Sequence, residues 1–167
     1  MTWGDRPGPD QAIIRQQFAR TRPYAELYDG VSSNAHFFKT RLRRVHELVR
    51  ECPPGKVLDV GCGPALTFDQ LLERGFECFG VDQSENMIAE CQRRYGHHGA
   101  ARFAVGDIRC LAFPDSFFDV ILCLGVLEYV DADVALRELA RVLKPGGVLV
   151  TSMHNDWSPY RLWERAV

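Results

Sequence analysis

The sequence predicts an α/β fold with an open, mostly parallel sheet and helices on both faces of that sheet. From residue 56 onward, short runs rich in β-branched and aromatic residues alternate with amphipathic stretches, which is typical of parallel strands joined by crossover helices. Several of these runs are continuously apolar, as expected for strands covered on both faces. The chain has 167 residues, of which 46% are hydrophobic and 25% are charged, so it suits one compact unit.

Five strands are predicted, and the helices between them follow from apolar spacing and capping residues. The strands are Lys56–Val60, Glu77–Val81, Ala101–Val105, Phe118–Leu124 and Val148–Met153, of which the first, fourth and fifth are continuously apolar. The helices are Leu66–Arg74, Ser84–Tyr95 and Asp131–Leu143, and the last two open with a capping serine and a capping aspartate. The Lys-Pro-Gly-Gly stretch at 144–147 is expected to end the third helix as a turn.

Residues 1–55 contain no strand-like run, and they are predicted to be helical. Apolar residues spaced 4, 3 and 4 apart predict a helix over Ser33–Glu51, and a shorter helix is expected over Asp10–Arg20. We therefore expect residues 1–55 to form a helical lid or cap segment. It would lie over a ligand-binding sheet domain of residues 56–167.

Composition excludes several classes of protein. Twenty Lys and Arg against 22 Asp and Glu give a net charge of -2, so there is no overall positive field for nucleic acid or an anionic membrane. The apolar runs are far shorter than the roughly 18 residues of a membrane span, and the N-terminus has no basic-then-apolar leader. The six cysteines form no CxxC pair, so we expect no metal site. These features predict a soluble, cytoplasmic protein.

A glycine-rich turn follows the first strand. Gly61 and Gly63 lack a Cβ, so the backbone can turn sharply there and a ligand can approach it closely. The second strand runs into Asp82, 21 residues after Gly61, and the third runs into Asp107. Three consecutive strands therefore end near glycine and aspartate at the carboxyl edge, where open α/β sheets bind ligands. An acid at the place of Asp82 suits the two hydroxyls of a ribose.

The same turn argues against a dinucleotide. A pyrophosphate is held by a GxGxxG turn, and here Leu66 stands where the third glycine would be. Asp59, just before the turn, would bring negative charge close to a phosphate. A carboxylate there favours a cationic or amine-bearing ligand, and it leaves a nucleotide-dependent oxidoreductase as the less favoured alternative.

The segments VLDVGCGPA, GVDQSENM, FAVGDI, FPDSFFDVILC and LKPGGVLV occur in this order over residues 56–153. Together they resemble the class I S-adenosylmethionine-dependent methyltransferases, in particular the small-molecule branch called methyltransferase type 11. The resemblance implies a Rossmann-like sheet of strand order 3-2-1-4-5. It also implies methyl transfer from S-adenosylmethionine to an oxygen, nitrogen or carbon nucleophile of a small molecule. The alternative is a non-catalytic S-adenosylmethionine-binding subunit or half of a split methyltransferase.

The resemblance also assigns roles to individual residues. The methionine part of the cofactor is expected against the glycine turn with its amino group near Asp59, the ribose on Asp82, and the adenine at Asp107. The residues at the end of the fourth strand would lie near the sulfonium and the acceptor. The implied cofactor-binding residues are Asp59, Gly61, Cys62, Gly63, Asp82, Gln83, Met87, Asp107, Ile108, Leu124 and Gly125.

Few residues qualify as a general base for the acceptor. Glu128 follows the fourth strand and His154 follows the fifth, so both are candidates for the cleft. Tyr24 and Tyr28, in the N-terminal segment, could contact the cofactor, because an aromatic face attracts a sulfonium.

Members of the resembling family have two further strands after the fifth, the last of them antiparallel. Only 14 residues follow Met153, which is too few for two strands and a helix. We therefore expect either a C-terminally truncated chain or a fifth strand covered by a second copy or a partner subunit. An uncovered edge of this apolar composition would expose unpaired backbone groups.

Overall fold

The expected sheet is present in a computed structural model of the chain, which describes residues 33–153, with side chains from His36 onward. Its strands run parallel in the order β3-β2-β1-β4-β5, which confirms the order implied by the sequence motifs. The strands are β1 Lys56–Val60, β2 Glu77–Asp82, β3 Ala101–Val105, β4 Phe118–Leu124 and β5 Leu143–Ser152.

Helices cover both faces of the sheet, as predicted. They are α1 Ser33–Leu48, α2 Phe68–Glu73, α3 Glu85–Tyr95 and α4 Ala132–Val142, and a 3-10 turn spans Leu127–Tyr129. The first three helices share one buried apolar cluster with alternate strand residues such as Val57. Leu58, one residue further along β1, points to the opposite cluster, where α4 packs. Successive side chains of the buried strands thus point to opposite faces of the sheet and contribute to both apolar clusters.

The predicted capping residues begin α3 and α4. The Ser84 hydroxyl accepts a hydrogen bond from Met87 N at 3.3 Å, and Asp131 accepts from Asp133 N and Val134 N at 3.1 and 3.2 Å. Each side chain satisfies N–H groups that have no partner within the first turn of the helix.

The fifth strand differs from its prediction in two ways. It begins at Leu143 rather than Val148, because the expected turn at 144–147 is an irregularity within the strand, with Gly146 at a φ of +78°. Lys144 Nζ binds Asp119 Oδ1 at 2.7 Å and holds this segment against β4. The strand is also less buried than predicted, with Val150 as its one buried residue. Among the described strands β5 pairs only with β4, so its outer edge contributes to this exposure.

Two helices are shorter than predicted. The helix expected over Leu66–Arg74 begins only at Phe68, because Ala65 has a left-handed backbone with a φ of +52°. Helix α1 ends at Leu48 rather than Glu51. Arg74 Nη2 donates to the carbonyls of Val49, Arg50 and Cys52 at 3.1, 2.9 and 3.1 Å, and it stabilises the chain as it leaves the helix.

The helix predicted over Asp10–Arg20 lies outside the described residues, and the division at residue 55 remains a prediction. Within the described part, Val45 and Val49 are 2% and 0% exposed and belong to the cluster beneath α1. This helix is therefore packed on the sheet.

We expect Arg74→Ala to lower the free energy of unfolding by about 1.5–3 kcal/mol, because one charged donor serves three carbonyls that would lose it. Urea unfolding followed by circular dichroism measures the change. Arg93→Ala is the matched control, because Arg93 forms an exposed pair with Glu90 on the surface of α3. A loss for Arg74→Ala no larger than that of the control would contradict the assignment.

Candidate functional site

Those predicted site residues that the structure describes lie along one edge of the sheet, where the carboxyl ends of the parallel strands meet. Val60 pairs with Val81 on β2 and with Cys123 on β4, and Asp82 pairs with Val105 on β3. From β3 to β4 this edge spans three strand spacings, or about 14 Å. The edge is therefore long enough for an elongated ligand to lie across four strands.

The turn after β1 has an unusual backbone, which explains its glycines. Gly61 and Gly63 have φ values of +67° and +51°, a region that disfavours a Cβ. A Cβ on Gly61 would lie 2.3 Å from Val126 Cγ2, so this position has no room for a side chain. Ala65 takes the same left-handed conformation without glycine.

The N–H groups of this turn are bonded to the end of β2. Gly61 N and Cys62 N donate to Val81 O at 2.7 and 3.2 Å, and Gly63 N donates to Asp82 Oδ2 at 2.9 Å. A pyrophosphate site needs such groups free to face the anion. The turn thus agrees with the sequence argument against a dinucleotide.

A cleft opens beside the turn, with about 410 Å³ of empty space counting the part open to solvent. It brings together four of the predicted cofactor-binding residues with side chains from α1 and from the start of α2. The lining residues are Arg41, Leu42, Asp59, Gly61, Cys62, Pro64, Leu66, Thr67 and Leu124.

Asp59 is the buried acid of this cleft. Its side chain is 3% exposed, and Thr67 Oγ1 donates to Asp59 Oδ2 at 2.6 Å. Burial raises the pKa of Asp59 to about 7, against the hydrogen bond from Thr67 and the positive charge of Arg41, which both lower it. Asp59 is therefore poised between its neutral and charged forms near neutral pH.

Arg41 and Thr67 are site residues that the sequence patterns did not single out. Helix α1 presents the Arg41 guanidinium to the cleft, where it lies 4.8 Å from the ring centroid of Phe38 and acts electrostatically on Asp59. The basic run at 41–46 is typical of a solvated helix face, and Thr67 fell inside a predicted helix. One feature of the sequence could have identified Arg41 as a site residue: it lies next to Leu42 on the apolar side of α1.

Asp82 joins the glycine turn to α3. Its Oδ2 accepts from Gly63 N and its Oδ1 from Ser84 N, each at 2.9 Å. Burial raises the pKa of Asp82, and backbone donors including Ser84 and Gly63 limit the rise. Nearby on the chain, Gln83 is half-buried and Met87 is 2% exposed, so Met87 offers a ligand only a small surface.

Asp107, at the end of β3, is engaged by Arg109. The Arg109 guanidinium forms a two-pronged ion pair with the carboxylate, with Nε at 3.0 Å from Oδ1 and Nη2 at 2.6 Å from Oδ2. The Arg109 backbone N–H also donates to Oδ1 at 2.9 Å. Ile108 is 3% exposed and packs in the core beneath α4. At this end of the edge the Asp107 carboxylate is thus held in an ion pair.

The end of β4 brings Gly125 and Glu128 to the side of the cleft where Arg41 lies. A Cβ on Gly125 would lie 3.2 Å from Arg41 Nη1 and 3.6 Å from Glu128 Oε1. Both carboxylate oxygens of Glu128 are buried. His154, Tyr24 and Tyr28 lie outside the described residues, so their predicted roles remain predictions.

Within residues 33–153, no group of three or more His, Cys, Asp or Glu side chains is arranged to hold a metal ion. No helix in that part of the chain is both long and apolar enough to cross a membrane.

Comparison with known proteins identifies relatives of the chain. Residues 58–151 match a family model described as "Methyltransferase domain". The demethylmenaquinone methyltransferase of Mycobacterium marinum is 34% identical over 139 residues, which cover 77% of this chain and 58% of that protein. The 2-methyl-6-phytyl-1,4-hydroquinone methyltransferase of Synechocystis sp. is 33% identical over 146 residues, which cover 78% and 45%. The chain thus spans about half the length of these curated relatives.

A solved structure, the [4+2]-cyclase SpnF, superposes with a TM-score of 0.73 at 24% identity, over 87% of this chain and 60% of that one. This likeness shows the fold alone, and the neighbour's name indicates that the fold serves more than one reaction. The family match is more specific, because it extends from within β1 into β5 and takes in the glycine turn, the strand ends and the cleft lining from Asp59 to Leu124, although Arg41 and Leu42 precede it. By that match, this chain belongs to the class I S-adenosylmethionine-dependent methyltransferases.

Proposed function

We propose that this chain binds S-adenosylmethionine and transfers a methyl group directly to an oxygen, nitrogen or carbon nucleophile of a small molecule. The observation that carries this proposal is the pair of opposite charges at one cleft, the Asp59 carboxylate and the Arg41 guanidinium. An amino-acid head group is a zwitterion, so its ammonium suits Asp59 and its carboxylate suits Arg41. A diphosphate would match only one of these two charges.

The adjoining residues fit the nucleoside part of the same ligand. Asp82 accepts from Gly63 N and Ser84 N, the backbone N–H of Gln83 also acts on it, and a carboxylate has about four acceptor sites. Acceptor capacity therefore remains for the ribose hydroxyls. Gly61, Cys62 and Gly63 would contact the ligand through backbone, because the turn carries only one side chain.

We assign the adenine to the end of β3. Asp107 would accept from the adenine amino group while retaining part of its ion pair with Arg109, and Ile108 would offer its backbone N–H. Val105, 52% exposed beside them, supplies apolar surface for a flat ring. Gln83 and Met87 would flank the adenosine from the start of α3.

S-adenosylmethionine supplies a methyl group made electrophilic by a positively charged sulfur. The chain's own contribution is to orient the acceptor at close contact with that methyl group, and to remove a proton where the acceptor requires it. Leu124 and Gly125, at the end of β4, would border the reacting atoms. Glu128 and His154 are the candidate bases, and Tyr24 and Tyr28 are the candidate aromatic contacts.

The names of the relatives indicate which acceptors should be tested first. Their names specify a demethylmenaquinone and a phytylated hydroquinone as substrates, so hydroquinone-type rings are the first acceptors to test. A net charge of -2 does not favour nucleic acid as the acceptor. A second copy or a partner subunit along β5 belongs to the proposal as well, because β5 pairs on one side only among the described strands.

The direct test is a thermal shift with S-adenosylhomocysteine and, separately, with NAD. A ligand at 100 times its Kd stabilises a protein by about 2.7 kcal/mol, which is readily measured. Stabilisation by S-adenosylhomocysteine together with methylation of a hydroquinone would support the proposal. Binding without turnover on hydroquinone, phenol, amine and carboxylate acceptors would favour a non-catalytic subunit or half of a split enzyme. Stabilisation by NAD alone would favour an oxidoreductase.

We expect Asp82→Asn to lower the affinity for S-adenosylhomocysteine at least tenfold, because bonds from ribose hydroxyls to a charged acceptor are worth about 1.5–3 kcal/mol. Isothermal titration calorimetry measures the affinity, and circular dichroism confirms that the variant folds. Asp119→Asn is the matched control, because Asp119 also accepts a backbone N–H, from Lys56 at 2.8 Å, but at the opposite end of the sheet. Equal affinities of the two variants would remove Asp82 from the site.

We expect Asp59→Asn to weaken cofactor binding and yet to be more stable than the wild type at pH 8. The folded protein holds the Asp59 proton up to a pKa of about 7, whereas the unfolded chain releases it near its ordinary value of 3.8. The contribution of Asp59 to stability therefore falls as the pH rises between these values. The stability advantage of the variant should grow by on the order of 2–4 kcal/mol between pH 4 and pH 8.

Urea unfolding at several pH values measures this difference. Asp119→Asn serves as the contrasting control. Burial alone would raise the pKa of Asp119, but hydrogen bonds from Lys144 and Lys56 lower it below its ordinary value. That variant should therefore be less stable than the wild type at pH 7. A pH-independent difference between Asp59→Asn and the wild type would contradict the buried-acid interpretation.

A further inference from the structure

Asp59 has one hydrogen-bond donor among residues 33–153, and that donor is Thr67. The hydroxyl lies 2.6 Å from Asp59 Oδ2, and the two residues are 6% and 3% exposed. A charged carboxylate at this depth is costly unless its oxygens are bonded. A single donor on one oxygen leaves the other oxygen available to a ligand in the cleft that both residues line.

Thr67 does not use its hydroxyl in the way its position would suggest. It is the N-cap residue of α2, where threonine is favoured because its oxygen accepts an N–H from the first turn of the helix. Here the Thr67 side chain makes no capping hydrogen bond. The orientation of the hydroxyl is therefore explained by Asp59 and not by the helix.

The intervening backbone brings the two residues together although they are 8 positions apart. Left-handed residues recur at Gly61, Gly63 and Ala65, so the chain coils back over the end of β1. The N–H of Ala65 bonds to Cys62 O at 2.9 Å and closes this coil. Thr67 thus reaches Asp59 through the same turn that would contact the ligand.

We propose that Thr67 is a positioning residue for the cofactor: its hydroxyl orients the Asp59 carboxylate and favours its charged form, which binds the ammonium group of S-adenosylmethionine. This inference rests on the proposed function, and it adds to that site a side chain with no role in the predicted motif. Thr67 acts through Asp59 and takes no part in the chemistry.

A consequence is that Thr67 controls how cofactor affinity depends on pH. Burial raises the pKa of Asp59 to about 7, while Thr67 and Arg41 lower it and Asp82 raises it. Removal of the hydroxyl therefore raises the pKa of Asp59 further. An ammonium binds the charged carboxylate, so the affinity of such a variant should reach its plateau at a higher pH than that of the wild type.

The other groups that face Asp59 do not produce this effect. Asp59 acts electrostatically on the thiols of Cys78 in β2 and Cys123 in β4, but burial raises the pKa of each thiol to about 12, so both stay neutral below pH 9. For Cys62, a hydrogen bond with Cys91 and burial raise the thiol pKa well above its ordinary value. Asp82 bonds to backbone N–H groups and not to Thr67, so a substitution at Thr67 leaves its contacts intact.

The experiment compares S-adenosylhomocysteine affinity by calorimetry from pH 5.5 to pH 9 for the wild type, Thr67→Val and Thr67→Ser. If removal of the hydroxyl raises the Asp59 pKa by about one unit, the wild type should bind about tenfold more tightly than Thr67→Val at pH 5.5. The ratio should fall to about fivefold at pH 7 and to about one at pH 9. Titration of the ligand's own amino group cancels in this ratio. Thr67→Ser, which keeps the hydroxyl, should follow the wild type.

The pH dependence of the affinity ratio distinguishes a positioning role of Thr67 from a general loss of structure in the variant. A general loss of structure would give a ratio that does not change with pH, and that result would overturn the proposal. So would a Thr67→Val profile identical to that of the wild type. Thr151→Val is the matched control, because it makes the same change at an exposed threonine of β5, outside the cleft lining. Its ratio to the wild type should be near one at every pH.

A ligand-free measurement distinguishes this inference from the proposed function. Carbon-13 NMR of labelled aspartate, with the Asp59 signal assigned by Asp59→Asn, follows the carboxyl titration directly. A higher midpoint in Thr67→Val together with the expected affinity ratios supports the proposal. A higher midpoint in a protein that does not bind S-adenosylhomocysteine at all refutes the proposed function, and with it the role of Thr67 in cofactor binding. An unchanged midpoint overturns the inference even if the cofactor binds.

Discussion

The hydrogen bonds between the turn after β1 and the end of β2 are the constraint on which the cleft depends. Gly61 N and Cys62 N share the carbonyl of Val81, and Gly63 N bonds to the carboxylate of Asp82. These bonds hold the turn in a left-handed path that only small residues can follow. Since the turn's N–H groups are occupied, an incoming ligand meets bare backbone and the charge at the end of β1. The same bonds therefore define the shape of the cleft, and Asp59 supplies the charge that, in the proposed function, selects an ammonium group.

The negative charge of Asp59, at the end of β1, lowers the stability of the folded protein. Asp59 lies in the core, where its ionised form is disfavoured, and the neighbouring Asp82 adds to this cost. Three features offset it: the Thr67 hydroxyl, the positive charge of Arg41, and, in the proposed function, an ammonium group of the ligand. Arg41 is held in place because α1 is packed on the sheet through Val45 and Val49. The helix that completes one core cluster thus also completes the electrostatics of the cleft.

Most of the fold could be predicted from local patterns, and two of the errors share a cause. Strands β1, β3 and β4 begin and end where their composition predicts, because each is a continuous run bounded by turn residues. The sequence predicts a turn at 144–147, but this stretch lies inside β5, where Lys144 forms an ion pair with Asp119 of the neighbouring strand. Helix α1 ends three residues before the predicted Glu51, and Arg74 satisfies the carbonyls that follow it. In both cases a partner about 25 residues away decides the local structure.

The sequence by itself determined that acids and glycines stand at the ends of adjacent parallel strands, because strand composition and chain order place those ends at one edge. Asp59, Asp82 and Asp107 follow from that reasoning alone. Only the tertiary structure decided which groups each acid meets: Thr67 and Arg41 at Asp59, and backbone N–H groups at Asp82. Arg41 had the pattern of a solvated helix face, and Thr67 that of a helix start. Periodicity reports which way a side chain points within its own element, whereas the charge state of a buried acid depends on every element packed around it.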